Sequence, residues 1–126
     1  MVKYATVGTN DPDAAKAFYD ALLAPEGYVA SFEQPSGGRL YHEPGGSLFG
    51  VLCPNDGKPA SVGNGTMVGF ALKDRPAVDA FYARAMALGA ADEGAPGVRG
   101  PDGSPAYFAY FRDSDGNKLC AYNFAI

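Results

Sequence analysis

The chain has no tryptophan, a single histidine, and only two cysteines in 126 residues. One imidazole, His42, cannot supply a two-histidine, one-carboxylate iron site. Cys53 and Cys120 are too far apart in sequence for a close metal-ligand pair and too few for a secreted disulfide scaffold. They read as reduced thiols used as small apolar fillers. Basic residues are outnumbered, 10 Lys and Arg against 14 Asp and Glu, so the chain lacks the positive face that nucleic acid requires. No apolar run reaches the roughly 18 to 20 residues of a membrane span, and the first residues, MVKYATVGTND, lack the apolar core of a secretory leader. These absences predict a cytoplasmic protein with neither a nucleic-acid nor a membrane partner.

What is present is a repeat. Ala17-Phe18-Tyr19 recurs 63 positions later as Ala80-Phe81-Tyr82, at half the chain length. At the same offset Asp11 matches Asp74, Ala14 matches Ala77, and Ala24 matches Ala87. Each copy starts with a β-like run, 4–9 and 66–72, followed by an acidic cap and a proline in the first helical turn. In the first helix Ala14, Phe18, Ala21 and Leu22 share a face, and Gly27 provides a stop. The second helix has the face Ala77, Phe81, Ala85 and Leu88 and ends at Gly89. Phe18 and Phe81 are the expected core anchors.

Three short strands follow each helix, near 28–33, 39–43 and 47–53 and again near 91–93, 107–112 and 118–124. A polar Gly- and Pro-rich stretch joins the halves. The expected organisation is one domain over 1–126, with module 1 about 1–54, a linker about 55–65 and module 2 about 66–126. Residues 94–105 are expected to form a long loop. The predicted class is α+β: two βαβββ modules in tandem forming a curved mixed sheet with a concave pocket.

Two motif-like strings carry no chemistry. Asp113-Ser114-Asp115-Gly116-Asn117 has some likeness to a calcium loop, but the twelfth position is Phe124 where a glutamate is needed. It is more simply a turn between strands. The glycine-rich run 97–103 has no Gly-Lys-Ser/Thr ending and opens no helix, which rules against a phosphate loop.

Thr6-Val7-Gly8-Thr9-Asn10-Asp11 with the following Ala17-Phe18-Tyr19-Asp20-Ala21-Leu22-Leu23-Ala24-Pro25, the second-module string Val78-Asp79-Ala80-Phe81-Tyr82 and the hairpin Arg112-Asp113-Ser114-Asp115-Gly116-Asn117-Lys118 resemble the vicinal oxygen chelate superfamily. This is the group of glyoxalases, bleomycin-resistance proteins and ring-cleaving dioxygenases. The resemblance spans nearly the whole chain. It implies a site on the sheet whose metal-dependent members draw one ligand from the first and one from the last strand of each module. Carried over residue by residue, those positions are Tyr4 and Gly50 in the first module and Met67 and Cys120 in the second. A hard divalent ion prefers oxygen and imidazole donors, which Gly50 and Met67 do not have. A single thiolate and a phenol make a poor zinc site. No metal and no cofactor are therefore expected, and the dioxygenase branch is excluded by the single histidine.

Strand parity places Thr6, Gly69, Lys118 and Tyr122 on the same face as Tyr4, Met67 and Cys120, with Ala5, Val7, Val68, Phe70, Leu119 and Ala121 beneath the helices. Expected ligand contacts are Tyr4, Gly50, Met67, Tyr107, Cys120 and Tyr122, although Tyr107 and Tyr110 point to opposite faces and only one can serve. His42, the one side chain that ordinarily titrates near neutrality, is the candidate acid or base if there is catalysis, against its reading as a structural or surface histidine. The favoured function is binding of a small molecule, aromatic or cationic, without a metal, by a homodimer. The alternatives are a glyoxalase-like lyase or isomerase acting on a small oxygenated substrate, and a partner-binding module with no ligand.

Overall fold

The computed structural model describes residues 2–125. It divides into two compact units, one ending at Gly63 and the other beginning at Asn64. Each has the order strand, helix, three strands, and each builds its own four-stranded sheet. The α+β class and the tandem βαβββ plan are those the repeat predicts.

The first unit opens with β1 (Tyr4–Gly8), which leads into α1 (Pro12–Leu23). Asp11 caps the helix, its carboxylate accepting the Ala14 N–H at 3.1 Å, and Pro12 occupies a position where no N–H is needed. A single turn of 3-10 helix, Ala24–Glu26, follows, and Gly27 ends it at φ 85°. Then come β2 (Val29–Glu33), β3 (Gly38–His42) and β4 (Leu48–Leu52). The sheet order is β1-β4-β3-β2, with β1 and β4 parallel and the other pairs antiparallel.

The helix phase differs from the sequence expectation by one position. The buried residues of α1 are Ala15, Tyr19, Leu22 and Leu23, an i, i+4, i+7, i+8 stripe, while Ala14 and Ala21 are exposed. The anchor is therefore Tyr19, fully buried with its ring 5.0 Å from Phe49, and Phe18 packs edge-on against it from a half-buried position. Phe18 and Tyr19 are adjacent rings one helical step apart, and packing on Phe49 selects the phase that buries Tyr19.

Against the same face lie Tyr41, Phe49 and Val51. The Tyr41 hydroxyl donates to Asp20 at 2.6 Å. Burial and that carboxylate push the phenol far above its ordinary range, so it stays protonated. Arg39 joins Asp20 at 2.6 Å and also pairs with Glu33, tying β3 to both the helix and β2. The expected linker also belongs to this unit: the Asn10 side chain donates to the Ala60 carbonyl and accepts its N–H, at 3.1 and 2.7 Å.

The second unit contains β5 (Val68–Ala71), α2 (Arg75–Ala87), β6 (Ala91–Val98), β7 (Ala106–Arg112) and β8 (Lys118–Phe124), in sheet order β5-β8-β7-β6. Asp74 caps α2 through the Ala77 N–H at 2.9 Å. Val78, Phe81 and Ala85 are buried, and Phe81 meets Phe70 and Phe111 at ring separations of 5.4 and 6.1 Å. Leu88, expected on the buried stripe, is 37 % exposed.

Two boundaries move. Met67 falls just before β5, and β6 continues to Val98, into the first part of the segment expected to be a loop. The reason is glycine. The β6–β7 ladder slips between Asp92 and Gly94 and again between Gly94 and Gly97, and Gly94 holds φ at 153°, so an irregular edge strand has the composition of a loop.

The 113–117 hairpin is a turn, as its composition predicts. The buried Asp113 carboxylate accepts the N–H groups of Asp115 and Asn117 and the Asn117 side-chain amide, at 3.0, 2.9 and 2.9 Å. Its lone pairs are spent on its own loop.

Candidate functional site

In each sheet one face packs on the helix and the other is free of it, and strand register decides which residues go where. In the first unit the helix-free face forms cross-strand rows. Tyr4, Leu48, His42 and Val29 make one row, and Thr6, Gly50, Leu40 and Phe32 the next. Tyr4 and His42 thus flank Leu48 on one face. Tyr4 is 54 % exposed and His42 is exposed as well. Gly50 is buried despite having no side chain, because its neighbours lean across it: a Cβ there would lie 2.5 Å from Leu40 Cδ2 and 3.2 Å from Thr6 Cγ2. This face is mainly aliphatic.

The second unit differs. Its helix-free face has the row Gly69, Cys120, Tyr110, Gly94 and beside it the row Ala71, Tyr122, Phe108, Gly97. Phe108 is the middle of three nearly parallel rings, 5.2 Å from Tyr122 at an interplanar angle of 13° and 5.9 Å from Tyr110 at 19°. Tyr122 also leans over Gly69, and Tyr110 over Gly94, each within about 3 Å of where a Cβ would stand. The glycines of the flanking strands leave room for the outer rings of the stack.

Two cations border this floor. The Arg99 guanidinium and the Lys118 ammonium each lie over the Tyr110 ring, 5.4 Å from its centroid. Arg99 also donates to the Ala95 carbonyl at 2.6 Å. Cys120, 2 % exposed, sits across the ladder from Tyr110. Burial pushes its thiol up to about 11, with Lys118 pulling weakly the other way, so at neutral pH it is a protonated thiol rather than a thiolate.

Of the residues singled out in the sequence, Cys120 and Tyr122 lie on this floor, and Met67 precedes the strand that borders it, 43 % exposed. Tyr4, Gly50 and His42 lie on the helix-free face of the first unit. Tyr107 does not face the site: it lies on the α2 side, where its hydroxyl donates to Asp79 at 2.7 Å and Arg75 covers its ring. The strand alternates, so placing Tyr107 there turns Tyr110 to the floor.

Phe108 and Arg99 were not anticipated. The signal for Phe108 was available, because pairing Phe111 and Ala109 with the helix-side Leu119 and Ala121 forces Phe108 and Tyr110 to the other face. Arg99 was lost in the segment taken for a loop. Among the described residues no group of three or more His, Cys, Asp or Glu side chains is arranged to hold a metal ion.

Known structures place this architecture. A glyoxalase/bleomycin resistance protein of Albidiferax ferrireducens is 40 % identical, with a TM-score of 0.85 over 98 % of both chains. This chain belongs to the glyoxalase/bleomycin resistance family. More distant structures share the fold: a glyoxalase/bleomycin resistance protein/dioxygenase family enzyme of Burkholderia phytofirmans at 20 % identity and TM-score 0.74 over 98 % of both chains, and a lactoylglutathione lyase of Agrobacterium tumefaciens at 23 % and 0.72, over 98 % of this chain and 92 % of that one. No family model and no curated protein matches the sequence. Among the described residues of this family member no helix is long and apolar enough to cross a membrane.

Proposed function

We propose that this glyoxalase/bleomycin-resistance protein binds a small organic molecule without a divalent metal, on the helix-free face of its second sheet. The observation that carries the reading is the aromatic ladder of Tyr110, Phe108 and Tyr122, three near-parallel rings stacked on one another in a half-buried setting. Packing against such rings favours flat, unsaturated ligands, and each good ring contact contributes about 0.5–1.5 kcal/mol beyond burial.

The donor chemistry at the family's ligand positions does not fit a metal. Gly50 has no donor and its side-chain space is filled by Leu40 and Thr6. Met67 offers a thioether, Cys120 a protonated thiol, and Tyr4 an exposed phenol. A lyase or isomerase would rely on His42, which is exposed on the first unit's sheet.

The test pairs metal analysis with ligand screening. After incubation with nickel, zinc, manganese and iron(II) and desalting, native mass spectrometry is expected to find no stoichiometric metal. Thermal-shift screening is expected to select planar compounds, with the shift lost in Phe108→Ala. Retention of one ion per chain, or turnover of α-ketoaldehyde–thiol adducts, would overturn the reading.

A further inference from the structure

The floor carries a charge signature as well as a shape. Two arginines elsewhere in the protein are neutralised by carboxylates: Arg39 pairs with Asp20 and Glu33, and Arg112 with Glu93 at 2.6 Å. Arg99 and Lys118 differ. Among the described residues neither has a carboxylate partner, and both are held over the same ring, Tyr110. The chain as a whole has a net charge of −4, so this local excess of positive charge runs against the background.

A cation held over an aromatic ring keeps its N–H donors available. A guanidinium and an ammonium converging on one ring leave a position beside it that repels a third cation and stabilises an anion. The neighbouring Phe108 and Tyr122 rings continue the platform away from that charged end.

We infer that the second-sheet face is selective for flat anionic ligands, an aromatic or conjugated carboxylate or a group of similar charge, whose planar part packs against the ring edges of the Phe108 and Tyr122 ladder and whose acid group meets Arg99 and Lys118. This rests on the metal-free binding reading and sharpens it. Of the aromatic and cationic ligands expected from the sequence, the aromatic one is kept and the cationic one is given up. Lys118 and Arg99 are the specificity-determining residues, and Phe108 supplies affinity that is indifferent to charge.

The experiment uses three probes of one shape: 2-naphthoate, 2-naphthalenemethanol and 2-naphthylmethylammonium. Each is titrated into the full chain by calorimetry at low and moderate salt, with amide shift changes at 106–110 and 118–122 locating the site. The expected result is that the acid binds at least about tenfold more tightly than the alcohol, which itself exceeds the ammonium. Lys118→Met and Arg99→Met should each remove several-fold of the acid's advantage over the alcohol, and Lys118→Arg should retain it. An unchanged amide spectrum confirms that each variant folds. Equal affinity for acid and alcohol, or an acid preference that survives both methionine variants, overturns the anion selectivity and leaves the aromatic floor standing. Failure of all three probes to bind at these positions overturns both.

Discussion

The two units carry the same plan with opposite solutions on their helix-free faces. Corresponding rows read Thr6, Gly50, Leu40, Phe32 in the first and Gly69, Cys120, Tyr110, Gly94 in the second. In the first unit the glycine is in the last strand and aliphatic side chains close over it. In the second the glycines are in the flanking strands, and tyrosine rings lie over them. The helix sides keep their apolar character while sizes shift: Ala15 and Leu22 correspond to Val78 and Ala85, all buried. Packing against a helix requires apolar side chains whose volumes compensate, whereas the other face is free to change its chemistry, and that is where the units differ in kind.

The sharpest break of this comparison lies in the helix anchors. Tyr19→Ala and Phe81→Ala should each lower unfolding stability by roughly 3–5 kcal/mol, because both rings are fully buried. Phe18→Ala should cost clearly less, since the ring is half-buried. Denaturant unfolding of the three variants orders them. Equal losses for Phe18 and Tyr19 would restore the phase the sequence suggests and contradict the packing described above.

Glycine substitutions come next. Gly38→Ala is expected to cost about 3 kcal/mol, because φ is 105° and its Cβ would press on the Val51 backbone carbonyl at 2.1 Å. Gly50→Ala should cost roughly 1–3 kcal/mol, since the atom it meets is a leucine tip that can move. Gly69→Ala should be the mildest for stability, its Cβ meeting Cys120 Sγ at 3.0 Å and the Tyr122 ring at 3.1 Å. It should still displace the ring and weaken packing of a planar probe on the floor. Urea midpoints set beside calorimetric affinities separate these cases: a Gly50→Ala variant that impairs probe binding as much as Gly69→Ala would erase the distinction between the two faces.

Much of this architecture was legible in the residues. The 63-residue offset, the Asp11-Pro12 cap and the Asp74 cap with Pro76 in the next turn are local chemistry, so the two helices and most strands could be read directly. What escaped depended on pairing. The β6 strand looked like a loop because its ladder slips at glycines, and the choice of Tyr107 over Tyr110 required knowing which side of β7 met the helix. The candidate site was half visible for the same reason. Cys120 and Tyr122 follow from parity within one strand, while Phe108 and Arg99 become neighbours only through register across strands. The phase of α1 escaped as well, because Phe18 and Tyr19 are adjacent rings and only packing against the sheet decides which enters the core.

The smallest effect tests the buried thiol that marks the second unit. Cys53 is half-buried in the first unit, while Cys120 lies under the aromatic floor with its ionisation pushed from an ordinary value near 9.0 up to about 11 by burial. The fold therefore favours the protonated form. Below about pH 9 both folded and unfolded chains keep the proton, and the contribution of Cys120 to stability is complete. Between about 9 and 11 the unfolded chain ionises first, so that contribution declines and is lost as the pH passes the folded value. Tyr28, pushed up to about 12 by burial and by Glu43, drifts in the same direction, so the informative quantity is the difference between the wild type and Cys120→Ala. That difference in Tm should narrow steadily from pH 8 to 11. A constant difference would mean that the thiol ionises as easily in the folded protein as in the unfolded chain, and the second sheet would then lack the dry floor on which its ligand chemistry depends.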